Sequence, residues 1–149
     1  MLAFLIAGIA LYLVPGFDVM RYGWSAPLPA WMKIAAMLVH LPCFAMLGWV
    51  MRENTYLAQV VKIDTARGHE VITTGPYAIV RHPMYSVTIV LLFAVPVALG
   101  SRYALLLSLL LTLLLIVRTG LEDRTLQREL AGYAEYTAQT RYRLCPGIW

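Results

Sequence analysis

The chain has 149 residues, 60% of them hydrophobic and only 13% charged, and its mean hydropathy is +0.69. Soluble domains run at about 45–50% apolar and about 25% charged, so composition excludes an ordinary soluble globule and points to a single membrane-embedded domain over residues 1–149. The net charge of +4 comes from 12 basic and 8 acidic residues set in short segments between apolar runs, which argues against the basic surface stripe that a nucleic-acid partner needs.

Residues 1–14 are apolar throughout and lack the basic start and cleavage site of a signal peptide. At about 1.5 Å per residue they cover about 21 Å, a short span unless it extends to Phe17. Pro15-Gly16-Phe17-Asp18 is expected to break it. A loop follows in which Trp24, Pro27, Pro29 and Trp31 place aromatic rings at the depth of an interfacial belt. Residues 30–50 form a second span of about 31 Å, with a kink expected at Pro42. His40 is the titratable group inside it, to be read as functional or as a neutral histidine bonded to a carbonyl.

Residues 51–80 make the longest polar segment. Within it, 59–64 and 70–73 are β-prone pieces around a turn at Ala66-Arg67-Gly68. Two more spans follow at 83–99 and 103–117, about 25 and 22 Å long. Gly100-Ser101-Arg102 joins them in a tight hairpin, and 118–149 is an amphipathic tail. The expected fold is therefore all-α: an integral membrane helical bundle of about four transmembrane helices with a cytoplasmic amphipathic C-terminal tail. Residues 1–50 hold two spans, and 51–149 hold the loop, the hairpin and the tail. Arg52, Lys62, Arg67, Arg81, Arg118, Arg124, Arg128, Arg141 and Arg143 fall in the second loop and the tail, against Arg21, Lys33 and Arg102 elsewhere. By the positive-inside rule the loop and tail face the cytoplasm. Cys43 and Cys145 are too few for a disulfide framework or a zinc site and read as free thiols.

Polar chemistry concentrates in Gly75-Pro76-Tyr77-Ala78-Ile79-Val80-Arg81-His82-Pro83-Met84-Tyr85. Proline suits the first turn of a helix, where its missing N–H costs nothing. Pro83 thus starts the third span, and that helix presents free N–H groups and a positive dipole end beside Arg81 and His82. The arrangement suits an anion at the edge of a bilayer, or simple snorkelling to lipid phosphates. The acidic pair Glu122-Asp123 returns to the same side after the fourth span. Carboxylates so near hydrocarbon are expensive unless paired. They read either as an ion pair closing the hairpin or as the anionic half of a pocket for a zwitterion.

Gly75-Pro76-Tyr77, Arg81-His82-Pro83-Met84-Tyr85 and Glu122-Asp123-Arg124-Thr125-Leu126 resemble the isoprenylcysteine carboxyl methyltransferase and phospholipid methyltransferase group of membrane enzymes. Arg67-Gly68-His69, Tyr133, Tyr136 and Pro146 are similar to bacterial members. The likeness runs from about Asn54 to the C-terminus. It departs where the family usually has two glutamates and this chain has Glu122-Asp123, and at Leu130-Ala131-Gly132, where the family has a Phe-Gly pair. The resemblance implies S-adenosylmethionine as methyl donor. Gly75, Pro76, Tyr77, Val80, His82, Pro83, Tyr85 and Glu122 would then form the cofactor site, with His82 on its carboxylate, Glu122 on its ammonium, and Tyr77 or Tyr85 facing the sulfonium. Arg81, Glu122 and Asp123 are the catalytic candidates: Arg81 to orient a carboxylate, an acidic residue or His82 to deprotonate an amine. No two glycines stand two apart, so a Rossmann-type cofactor turn is unsupported. The implied partners are a lipophilic or prenylated acceptor and membrane lipids, at a bacterial inner membrane with the active site facing the cytoplasm. Phospholipid amine methylation and a non-catalytic scaffold that keeps the fold are the alternatives.

Overall fold

The computed structural model describes residues 2–54 and 71–149, which contain helices and connecting segments but no strand. The expected β-prone piece at 59–64 and Arg67-Gly68-His69 lie outside the described residues. Val71–Thr73, the described part of the second β-prone piece, is irregular. The helices are α1, Leu2–Pro15; α2, Ala30–Glu53; α3, Pro83–Leu99; α4, Tyr103–Glu129; and α5, Tyr133–Gln139. Three helical stretches are long and apolar enough to cross a membrane: Leu5–Tyr22, Ala30–Glu53 and Tyr103–Glu129. Pro83–Leu99 is a shorter apolar helix. The chain is an all-α membrane protein.

Two expectations need correction. Pro15-Gly16-Phe17-Asp18 does not break the first span: the helix continues through Gly16–Tyr22 in wider π-helical turns. It ends at Gly23, whose φ of +64° is left-handed and whose N–H donates to the Asp18 carbonyl. Asp18 reads as a loop residue because a carboxylate in an apolar run is costly, yet here it is turned inward and fully buried. Three donors offset that cost. Asp18 Oδ1 accepts from the Ser25 N–H at 2.8 Å, and Oδ2 accepts from the Ser25 and Ser101 hydroxyls, both at 2.6 Å. The fourth span, in turn, does not give way to a tail at Val117. Arg118–Glu129 holds mostly good helix formers and no proline, so α4 runs on to Glu129 and carries Glu122-Asp123 within it.

The contacts of the chain group into two units, residues 1–44 with 88–115 and residues 45–87 with 116–149. In the first, Leu11, Ala36, Cys43, Ala94, Ala104 and Leu111 are buried. The Ser108 hydroxyl donates to the Leu92 carbonyl and so ties α4 to α3. The turn between these helices uses Gly100 at φ +82°. His40 Nδ1 lies 2.8 Å from the Ala36 carbonyl, which is the carbonyl-bonded arrangement. Trp31, Ile34, Met37, Leu38, Leu41 and Phe44 stay exposed along α2, as suits a surface facing hydrocarbon.

The second unit has a core of Val50, Tyr77, Leu130, Tyr133 and Tyr136, with Met46, Val71, Ile72, Met84 and Leu126 packed against it. Tyrosines can enter such a core because each hydroxyl finds a partner. Tyr136 donates to the Tyr77 carbonyl at 2.7 Å, and Asn54 Nδ2 donates to the Tyr77 hydroxyl at 3.0 Å. Cys43 and Cys145 are free.

Candidate active site

Within the second unit, the stretch before α3 is shaped by one glycine. Gly75 has φ +58°, and a Cβ there would sit 2.8 Å from the Glu53 side chain. Glu53 is held in place by the Trp49 indole N–H at 3.1 Å and the Thr74 hydroxyl at 2.7 Å. From Gly75 a 3₁₀ turn runs to Ala78 with Pro76 near its start. That turn drives the Tyr77 ring inward, and Val80, Arg81 and His82 follow as buried residues.

The next residues pair with the C-terminal segment. The Arg81 and His82 N–H groups donate to the carbonyls of Tyr142 and Arg143, both at 2.9 Å. The Ser86 hydroxyl donates to the Leu144 carbonyl at 2.6 Å. The His82 carbonyl in turn accepts from the N–H groups of Tyr85 and Ser86 at 3.1 and 3.2 Å, so His82 opens α3 just ahead of Pro83.

Asp123 is fully buried and collects donors from five residues. Its Oδ1 accepts from Arg81 Nε at 2.8 Å and the Tyr133 hydroxyl at 3.0 Å, with His82 Nε2 at 3.4 Å. Its Oδ2 accepts from Arg81 Nη2 at 2.9 Å, Arg143 Nε at 2.8 Å and Gln127 Nε2 at 2.9 Å. Arg81 Nη1 donates to the carbonyls of Thr140 and Arg141, both at 2.8 Å. The guanidinium assigned from sequence to an acceptor is thus occupied within the chain. Burial works against the Arg81 charge, but the hydrogen bonds and charge of Asp123 outweigh it and hold its pKa above the usual value. Burial pushes the Tyr133 phenol up, and the adjoining Asp123 carboxylate adds to the shift.

Beside this knot lies a cavity of about 580 Å³ of empty space, part of it open to solvent. Its polar wall carries Asn54, Tyr77, Arg81, His82, Tyr85 and Glu122, and Met84, Leu126 and Leu130 supply apolar surface. Glu122 Oε2 accepts from the Tyr85 hydroxyl at 2.7 Å and lies 3.9 Å from Arg118 Nε. The rings of His82 and Tyr85 stack in parallel, their centroids 5.8 Å apart.

Of the residues picked from sequence, Tyr77, Arg81, His82, Pro83, Tyr85 and Glu122 meet in this wall. Gly75, Pro76, Val80 and Asp123 do not line it; they shape the backbone or hold its polar groups. Sequence reasoning missed Thr140 and Arg143, whose partners lie about 60 and 20 residues away in the chain and leave no local pattern. Gln127 was detectable, standing four residues after Asp123 on the same helical face.

A helical membrane protein with a mixed polar and apolar pocket at the start of α3 is the class that fold and site define. The sequence model of the isoprenylcysteine carboxyl methyltransferase (ICMT) family matches residues 34–128. The chain belongs to that family and is a membrane methyltransferase. The match begins in α2, earlier than the motifs alone indicated, and stops short of α5. No curated protein matches the chain.

Proposed function

We propose that the chain transfers a methyl group from S-adenosylmethionine to the carboxylate of a lipophilic, prenylated acceptor. The observation that carries this reading is the chemistry of the pocket wall. A carboxylate, Glu122, and a histidine beside a helix start, His82, stand on one cavity that also offers apolar surface. A donor bearing ammonium, carboxylate and adenosyl groups fits that set. Glu122, oriented by the Tyr85 hydroxyl, would hold the ammonium. His82 and the first turn of α3 would hold the carboxylate. The face of Tyr77 suits a sulfonium, while Met84, Leu126 and Leu130 would pack the adenosyl part.

When bound, S-adenosylmethionine supplies an electrophilic methyl group on sulfur. An acceptor carboxylate is already a nucleophile, so the chain's work is to align it and exclude water. Arg81 and Asp123 serve this as positioning residues: their ion pair fixes the segment 140–143 against the start of α3 and so sets the shape of the wall. An amine acceptor would need a base. Asp123, surrounded by two arginines, a tyrosine and a glutamine, is poorly suited to that task. We place the pocket on the cytoplasmic face of the membrane, on the strength of the basic loop and tail.

Calorimetry of S-adenosylhomocysteine binding tests the reading. The purified chain should bind it, and Glu122→Gln should weaken binding by about 1–3 kcal/mol through loss of a charge-assisted hydrogen bond. Absence of binding to the folded wild type would remove the proposal.

A further inference from the structure

The first unit holds a second cavity, with about 720 Å³ of empty space partly open to solvent, lined by Trp24, Ser25, Ala26, Arg102, Tyr103 and Leu106. We propose that it binds the phosphate of an anionic phospholipid. This assignment does not depend on the methyltransferase reading.

Charge is the first argument. Residues 1–44 and 88–115 contain one acidic residue, Asp18, and three basic ones, Arg21, Lys33 and Arg102. Asp18 is fully buried and engaged by Ser25 and Ser101, so no carboxylate of this unit stands at its surface to neutralise the cations. Arg102 is exposed, and among the described residues its guanidinium has no hydrogen bond or ion pair. The backbone that carries it is fixed, because the Arg102 N–H donates to the Ser25 hydroxyl oxygen at 2.9 Å. A planar guanidinium at a cavity wall can take two phosphate oxygens at once.

The rings argue for a lipid as the source of that phosphate. Trp24 stacks on Tyr22 at 4.8 Å with an interplanar angle of 7°, and meets the edge of Tyr103 at 5.8 Å. Arg21 lies over the Tyr22 ring at 5.6 Å. Aromatic rings with polar tips favour the headgroup level of a bilayer. Leu106, 67% exposed beside the cavity, offers surface to an acyl chain that a free phosphate ion would not use.

The test compares phosphatidylglycerol, phosphatidylcholine and inorganic phosphate as probes of the full chain in detergent micelles, with bound lipid read by native mass spectrometry. Phosphatidylglycerol should bind in preference to phosphatidylcholine. Arg102→Gln should cut its affinity about fivefold or more, as expected for one arginine at an anionic surface. Arg102→Lys should fall between. Arg128→Gln, an equal charge change at an exposed site outside this unit, should leave the affinity as it was. Equal phosphatidylglycerol affinity in Arg102→Gln and wild type would overturn the site, and so would equal losses in the Arg102 and Arg128 variants. Displacement of the lipid by millimolar inorganic phosphate would overturn its assignment to a lipid.

Discussion

Arg81 and Glu122 were both read from sequence as polar groups facing a ligand, and their surroundings separate them. Arg81 is 6% exposed, and its N–H groups go to Asp123 and to two carbonyls of the C-terminal segment. Glu122 lines the same cavity and is only half-buried. The two residues should therefore fail in different ways. Asp123→Asn removes the charge that balances buried Arg81 and half-exposed Arg143, and leaving a buried cation such as Arg81 uncompensated costs about 3–5 kcal/mol. Its thermal unfolding midpoint in detergent should drop markedly, whereas Glu122→Gln should unfold near the wild-type temperature and lose cofactor affinity instead. A stable Asp123→Asn that binds S-adenosylhomocysteine normally would contradict the positioning role. Nothing in the motif Arg81-His82-Pro83 says whether its arginine points to a ligand or to the chain. The answer lies in the Thr140 and Arg141 carbonyls, whose approach depends on tertiary folding.

At the scale of elements, α3 was legible to the residue because Pro83 and Gly100 punctuate it. The end of α4 was not, since hydropathy falls at Arg118 while helix propensity does not. The π-helical turn after Pro15 was hidden for a similar reason. Asp18 looks like a loop residue until Ser25 and Ser101, 7 and 83 residues away, arrive to bond it. The turn at Gly75 carries its own expectation. Alanine there would have to adopt φ near +58° and would press on Glu53. A left-handed non-glycine residue alone costs about 1–2 kcal/mol. Gly75→Ala should lower both the unfolding midpoint and the affinity for S-adenosylhomocysteine, because the same turn sets the Tyr77 ring in the pocket wall. Unchanged values for both would show that the turn tolerates a side chain.

For the whole molecule, composition and the spacing of apolar runs were enough to read an all-α membrane protein. The two-unit grouping of contacts was not visible in them, because α2, α3 and α4 each contribute to both units without a break in pattern. Alkaline pH probes the tyrosine-rich unit as a body. Burial pushes the phenols of Tyr77, Tyr133 and Tyr136 up, so the folded chain keeps protons that unfolded tyrosines release near pH 10. Their contribution to stability is present in full below about pH 10 and is lost as pH rises toward the folded-state values. The unfolding midpoint should fall above about pH 10, with a shallower slope in Tyr133→Phe; a midpoint unchanged to pH 11 would contradict this. The central claim, carboxyl methylation at the Glu122 pocket, is met most directly by following a labelled methyl group. Purified chain in lipid vesicles, given methyl-labelled S-adenosylmethionine and an S-farnesylcysteine acceptor, should make a product that releases volatile methanol in alkali. Folded Glu122→Gln should make far less of it. Label that stays on the product through alkali, or no transfer by a chain that binds S-adenosylhomocysteine, would contradict the account.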